Sequence, residues 1–150
     1  HSSFGLAGGG FRNVKPFLLP VQCMVLELGL MKVFQISPVK PLVPSDLLEK
    51  IDVRVGTIEC VEEVKGSDKL VRLVVDFGDR KRDILVGMKH ERDNPKEIEG
   101  RQALFVVNME PKRMMGQVSE GMVFDIGYAD GITPVLAVPE KPVPNGARAG

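Results

Sequence analysis

The stretch IDVRVGTIECVEEV, which begins at Ile51, alternates apolar and polar residues and changes phase at Gly56. Before the glycine the apolar residues occupy every second position, and after it they shift by one position to Ile58 and Cys60. A strand whose alternation slips at a glycine is typical of a bulged, strongly bent strand. Small barrels need such strands to curl, so this stretch favours an all-β, barrel-like fold.

Further strands are predicted after this one. LVRLVVDFG and RKRDILVGM are joined by a tight corner at Gly78 and Asp79, RQALFVVN is nearly all apolar, and MVFDIGY alternates. Before the fourth strand, NPKEIEG predicts a short helix with Asn94 as cap, Pro95 in its first turn and Gly100 as terminator. This order predicts a five-stranded oligonucleotide-binding Greek-key barrel with a short helix between strands 3 and 4. An SH3-like barrel stays open as the alternative, because strand counting rarely separates these small barrels.

The four aromatic residues in and beside the predicted strands all fit core positions. The last strand places one set of side chains on a single face: Met122, Phe124, Ile126 and Tyr128. Phe77 and Phe105 are in phase with buried positions of their own strands. Because base stacking needs exposed aromatic rings, this pattern disfavours binding of single-stranded nucleic acid by stacking.

The chain divides into an extension, residues 1–44, and a domain, residues 45–150. The extension opens with glycines and ends in prolines at positions 38, 41 and 44, which predicts poorly ordered backbone. The domain opens with SDLLEK, which predicts one helical turn capped by Ser45 or Asp46.

The apolar run within the extension predicts no membrane span, because Pro20, Glu27 and Lys32 interrupt it. Residues 1–26 contain basic residues but no acidic one, which is compatible with an organellar transit segment. The alternative is a natural start at Met31, with the preceding residues lying upstream of it. We expect a cytoplasmic protein, with organellar import as the weaker alternative.

Charge and cysteine content limit the classes of function. The 150 residues contain 20 Lys and Arg against 20 Asp and Glu, so binding to nucleic acid requires a local basic patch. Cys23 and Cys60 lie far apart and without metal-ligand spacing, which predicts no disulfide and no metal site, and Cys60 fits a small apolar strand residue. No paired acids, phosphate-binding glycine loop or nucleophile with its base is recognisable, so the sequence predicts neither an enzyme nor a cofactor.

Four segments resemble, in order and spacing, the successive motifs of the tRNA-binding domain family: DVRVGTIE, SDKLVRLVVDFG, RDILVGM and NMEPKRMMGQVSEGM. The resemblance covers about residues 46–148. It implies a non-catalytic barrel that recognises tRNA by shape, often as a homodimer, either free-standing or beside an aminoacyl-tRNA synthetase. Five positions depart from the family's pattern: Glu110 replaces a common Lys, Met115 replaces an Arg, Val86 replaces a Ser, and Val64 with Lys65 replaces His-Pro.

The fourth motif carries most of the candidate contacts. Lys112 and Arg113 follow a Pro-stiffened corner after the fourth strand, so they are expected to project towards phosphates. The predicted RNA-binding residues are Asn108, Lys112, Arg113, Ser119, Arg82 and Lys89. A purely structural interpretation also stays open: a solvated turn, with Asn108 and Ser119 bonded to local backbone.

A second hypothesis is a protein-binding module similar to the secretion-chaperone branch of the same family. Its surface would be methionines, because their side chains adapt to varied partners: Met109, Met114, Met115 and Met122. Homodimerisation is expected through the apolar C-terminal segment DGITPVLAVPEKPVPNGARAG, unless that segment wraps its own barrel.

Overall fold

A computed structural model gives the structure of the chain and describes residues 34–150. The chain divides into two units, His1–Ile36 and Ser37–Gly150. Of the first unit only residues 34–36 are described, and these form no helix or strand. The predicted extension therefore lies outside the described residues as far as residue 33, and residues 37–44 are exposed and irregular.

The regular secondary structure of the second unit is almost entirely β-strand, which confirms the predicted all-β fold class. Its one short α-helix is α1 (Ser45–Glu49), and single 3₁₀ turns occupy Pro95–Ile98 and Tyr128–Asp130. The strands are β1 (Val53–Glu63), β2 (Val71–Asp76), β3 (Lys81–Val86), β4 (Gln102–Val106), β5 (Lys112–Met114), β6 (Gln117–Ser119), β7 (Met122–Val123), β8 (Asp125–Ile126), β9 (Val135–Leu136) and β10 (Arg148–Ala149).

The long strand β1 joins the two halves of the main sheet, whose order is β3-β2-β1-β4-β7. Its first half, Val53–Thr57, pairs with β4, and its second half, from Thr57 onward, pairs with β2. The register with β2 shifts between Ile58 and Cys60, which marks a bulge. There the N–H of Val61 donates to Glu99 Oε1 at 3.1 Å instead of to a neighbouring strand.

The predicted change of phase is seen in the burial of β1, whose buried positions move from Val55 to Ile58 across Gly56, but the bulge itself lies at Glu59 and not at the glycine. The glycine is needed for packing. A Cβ at this position would lie 2.5 Å from Cγ1 of Val75 and 2.8 Å from Cε1 of Phe77. Strand β1 can therefore pass this close to the core only because residue 56 is a glycine and has no side chain.

The bend curls the sheet until its two edges meet. The N–H of Glu120, in the turn before β7, donates to the carbonyl of Asp83 on β3 at 2.8 Å. The core inside the curl is apolar, and Phe77 and Phe105 meet edge to face with ring centroids 5.4 Å apart. Its fully buried large side chains are Phe105, Ile58, Leu73, Ile84, Met88, Val71 and Val75.

The connector between β3 and β4 forms as predicted. Asn94 caps it, since its side chain accepts from the N–H of Lys96 at 3.1 Å, and Pro95 occupies the first helical position. Gly100 ends it with a φ of 84°. Ile98 is buried and belongs to the apolar core.

Several local predictions were wrong. The predicted fifth strand is divided into β7 and β8, and the count of five strands is not confirmed. Its predicted core face is exposed, because only Val123 of this segment is buried. Cys60 follows the bulge and is exposed, and neither Ser45 nor Asp46 caps α1, whose N-cap residue is Pro44.

The last part of the C-terminal segment, residues 143–149, pairs with its own domain, whereas Ile132, Val135 and Val138 earlier in the segment are exposed. Val55 exchanges two backbone hydrogen bonds with Gly146 and Ala147, and β10 pairs with the start of β1. The Gln102 side chain exchanges hydrogen bonds with the backbone of Val143. The end of the C-terminal segment is therefore held against β1 and β4 of its own domain.

Substitution of Gly56 by Ala should lower the free energy of unfolding by about 1–3 kcal/mol, because the added methyl group overpacks the core. Gly87→Ala is the matched control, since a Cβ at Gly87 has no neighbour within 4 Å. Urea denaturation measures both. Equal midpoints for the two variants would contradict a packing role for Gly56.

Candidate nucleic-acid interface

Strands β5 and β6 form a hairpin with a two-residue loop, Met115 and Gly116. Both loop residues have positive φ, 50° and 76°, as a type I′ turn requires. Glycine adopts this conformation without cost, whereas a methionine there costs about 1–3 kcal/mol. Met115 is the one positive-φ residue other than glycine among the described residues, so its surroundings must favour this turn.

Lys112 and Arg113 lie on β5 and are exposed. As consecutive strand residues they point to opposite faces of the hairpin. Neither forms an ion pair with any residue in the described range 34–150. Both cations are thus available to a ligand, each from its own face.

Ser119 anchors the base of the hairpin and is only 3% exposed. Its hydroxyl oxygen accepts from the N–H of Leu85 on β3 at 3.0 Å and donates to the carbonyl of Gly121 at 3.2 Å. The hydroxyl therefore replaces a strand-to-strand hydrogen bond where β3 approaches β6. Its predicted contact with RNA stays a prediction, and the structural interpretation explains its burial.

Arg82 ties together the two ends of the segment that carries the hairpin. Its Nη1 donates to the carbonyl of Val107, before the segment, at 2.6 Å, and to that of Glu120, after it, at 3.2 Å. The guanidinium lies over the ring of Phe77, 5.7 Å from the centroid. Its Nε is buried and has no hydrogen-bond partner among the described residues. The Arg82 guanidinium thus makes its contacts within the domain, and its predicted phosphate contact stays a prediction.

Asn108 also bonds within the domain. Its Oδ1 accepts from the N–H of Asp52 at 2.8 Å, and its Nδ2 donates to the carbonyl of Lys50 at 2.7 Å. The N–H of Val107 donates to the carbonyl of Asp52 at 2.9 Å, next to these bonds. Asn108 therefore fixes the segment before β1 to the corner that leads to β5.

Lys89 lies in the loop after β3, beside the loop that connects β1 and β2. Its N–H donates to the carbonyl of Lys69 at 3.1 Å, and its side chain is half-buried. Lys65 and Lys69 of the β1–β2 loop are exposed, and neither was among the predicted site residues. The pair of Asp68 and His90, 3.5 Å apart, adds an acidic group to this region.

Comparison with known proteins identifies the chain. Residues 53–148 match the sequence family described as "Putative tRNA binding domain". The chain belongs to this tRNA-binding domain family. The methionine–tRNA ligase of Methanothrix thermoacetophila is 42% identical over 107 residues, which are 71% of this chain and 15% of that protein. The chain therefore spans about a seventh of the length of that curated relative.

Solved structures show the same fold. The MetRS-related protein from Pyrococcus horikoshii is 35% identical and superposes with a TM-score of 0.68, over 74% of this chain and all of that one. The chaperone CsaA from Bacillus anthracis is 29% identical, with a TM-score of 0.63, over 73% of this chain and all of that one. Both branches named in the sequence analysis are thus represented among its structural relatives.

The first motif of the tRNA-binding domain is structural here. Asp52 forms ion pairs with Arg54 at 3.1 Å and with Arg148 at 3.3 Å. The hydrogen bonds from Arg54, together with the charge of Arg148, lower the pKa of the Asp52 carboxyl. This carboxylate thereby joins β1 to β10.

No helix among residues 34–150 is both long and apolar enough to cross a membrane. The same residues contain no group of three or more His, Cys, Asp or Glu side chains arranged to hold a metal ion.

Ser119→Ala should destabilise the tRNA-binding domain by about 1–3 kcal/mol, because the buried N–H of Leu85 loses its acceptor. Ser45→Ala is the control, since Ser45 is exposed and makes no capping hydrogen bond. Thermal or urea denaturation measures the difference. Unchanged stability of the Ser119 variant would show that its hydroxyl does not anchor the hairpin.

Proposed function

We propose that the chain binds tRNA as a non-catalytic module, with phosphates contacted by Lys112 and Arg113 of the β5–β6 hairpin. The proposal rests on one observation: the base of the β5–β6 hairpin is fixed to the domain, and its strand β5 carries two exposed cations. Arg82 and Ser119 hold the hairpin at the domain, while the two cations have no ion-pair partner in the described part of the chain. Rigid placement of cations reduces the entropy lost when a ligand binds.

Recognition by shape suits this arrangement. The planar guanidinium of Arg113 can bridge two phosphate oxygens, whereas Lys112 acts as a mobile point charge. Such contacts discriminate little between bases, and they recognise folded RNA by the position of its backbone. The chain has no net charge, so attraction depends on this local patch rather than on a global field.

The domain binds either as a free-standing protein or beside an aminoacyl-tRNA synthetase. The match to one stretch of a much longer methionine–tRNA ligase supports the second arrangement, and the match over the whole of the MetRS-related protein supports the first.

Replacement of both Lys112 and Arg113 by Ala should weaken binding to all tRNAs. The plot of log affinity against log salt should flatten by about 0.7–0.9 for each lost phosphate contact. Filter binding of unfractionated tRNA at several salt concentrations measures this. The control is Lys40→Ala with Lys141→Ala, which removes two exposed lysines that form no ion pair within residues 34–150.

Unchanged affinity and salt slope in the Lys112 and Arg113 variant, with tRNA bound by the wild type, would contradict the hairpin's role. Both residues are exposed, so the melting temperature should change little, by the equivalent of about 0.5 kcal/mol or less.

A second candidate function is protein binding by the methionine surface, Met109, Met114, Met115 and Met122. Three of these side chains are well exposed, Met109 at 53%, Met115 at 54% and Met122 at 43%. The structural likeness to a CsaA chaperone supports this alternative. Failure of the wild type to bind tRNA, combined with binding of unfolded polypeptide, would favour it.

We also propose a homodimer, formed through the β8–β9 sheet. Its cross-strand pair Ile126 and Val135 is exposed on both strands, at 57% and 54%. Tyr128, Ile132 and Val138 in the same C-terminal part are exposed too. An apolar surface of this kind is typical of a site covered by another protein molecule.

Ile126→Lys combined with Val135→Lys should convert the dimer into a monomer without unfolding it, because charges would replace exposed apolar groups. Sedimentation at micromolar concentrations measures the mass. The control is Val39→Lys, which changes another strongly exposed valine in the irregular segment 37–44. A monomeric wild type would refute the dimer, and a dimeric double variant would refute this interface.

A further inference from the structure

The tip of the β5–β6 hairpin meets the loop between β1 and β2. A Cβ placed on Gly66 would lie 3.4 Å from Cε of Met115, so the methionine methyl group packs directly over this glycine. Gly66 itself has a φ of 82°, a conformation that glycine adopts without strain. The contact explains what favours the strained turn at Met115: its side chain packs against the neighbouring loop.

The β1–β2 loop is fixed by its own hydrogen bonds. Val64 is buried and its carbonyl accepts from the N–H of Ser67 at 3.1 Å. The Ser67 hydroxyl then accepts from the N–H groups of Lys69 and Leu70, at 3.3 and 3.0 Å. The backbone of Lys65 is thus held between a buried residue and a closed turn, which places it next to the hairpin tip.

Lys65 is exposed and forms no ion pair with another residue of the described range. It also occupies the position where this chain departs from the family's His-Pro. Met115, whose methyl group packs over the adjacent Gly66, marks the second departure, where the family pattern has Arg. Two departures from the family's pattern therefore lie close together. The hairpin tip lacks the cation that Arg would supply at position 115, and the β1–β2 loop carries an additional cation, Lys65.

We propose that Lys65 is a further phosphate-binding residue, which supplies from the β1–β2 loop the positive charge missing at Met115. This inference rests on the proposed tRNA binding. Lys112 and Arg113 lie two to three residues before the tip, about 7–10 Å along the strand. Because a nucleic acid strand presents one charge per ~3.4 Å of axis, a backbone that crosses the hairpin tip can meet Lys65 together with one of the two hairpin cations. The other hairpin cation lies on the opposite face.

The methionine contact makes the two loops act together. Met115→Gly removes the side chain that packs on Gly66 and retains a residue suited to positive φ. The contribution of Lys65 to binding should then shrink, so Lys65→Ala and Met115→Gly should be non-additive in a double-mutant cycle. Met115→Arg should strengthen binding more in the Lys65→Ala background than in the wild type.

The test is binding of unfractionated tRNA to the full chain between 50 and 200 mM salt. Lys65→Ala should flatten the salt slope by about 0.7–0.9, so that roughly threefold less affinity is lost over this range. Lys141→Ala, an exposed lysine of the C-terminal segment, is the control and should leave the slope unchanged.

Each outcome decides the proposal. If the wild type binds tRNA and the Lys112 and Arg113 variant binds it weakly, but Lys65→Ala matches wild type, the Lys65 site is refuted and the proposed function stands. An equal effect of Lys141→Ala would also refute it, because the loss would then report total charge. If the wild type does not bind tRNA, the proposed function fails, and the Lys65 site fails with it.

Discussion

The bend of β1 is the constraint on which the rest of the structure depends. One strand must pair with β4 along its first half and with β2 along its second, so its two hydrogen-bonding edges are used in succession. Gly56 lets the strand pass close over Val75 and Phe77, and the bulge at Glu59 turns it further. With this bend the two sheet edges meet, and the hairpin acquires β3 as a support.

The hairpin is held in place by polar residues that the sequence alone predicts to be RNA contacts. Arg82 closes the base of the hairpin segment, Ser119 replaces a strand hydrogen bond, and Asn108 fixes the corner before β5. Buried hydrogen-bond donors and acceptors need partners, so the polar residues of this motif can stabilise the loop instead of binding a ligand. The groups that remain available to a ligand are the exposed cations of the hairpin, Lys112 and Arg113.

Short-range patterns predicted the elements whose partners are close in sequence. The cap of Asn94 and the stop at Gly100 follow from local backbone preferences and are found as predicted, whereas the bulge predicted at Gly56 lies three residues later, at Glu59. Alternation failed at MVFDIGY, where Phe124 and Tyr128 are exposed although their phase was predicted to form the core face, and the one buried residue, Val123, lies in the opposite phase. A phase identifies one face of a strand, but which face is covered depends on the elements packed against it. Exposed aromatic rings also remove the reason for excluding base stacking.

The sequence by itself determined the family, the all-β class and the exposure of Lys112 and Arg113, because these follow from residue types at fixed spacing. It did not predict that these two residues lie on a strand of the β5–β6 hairpin. Only the tertiary structure decided which polar residues are committed to the domain. Arg82 meets Val107 across 25 positions, Ser119 meets Leu85 across 34, and Asn108 meets Asp52 across 56. Likewise, the meeting of Met115 with Gly66 exists only in three dimensions. Hydrogen bonds and packing act over a few ångströms of space, whatever the separation along the chain, so a linear pattern does not record them.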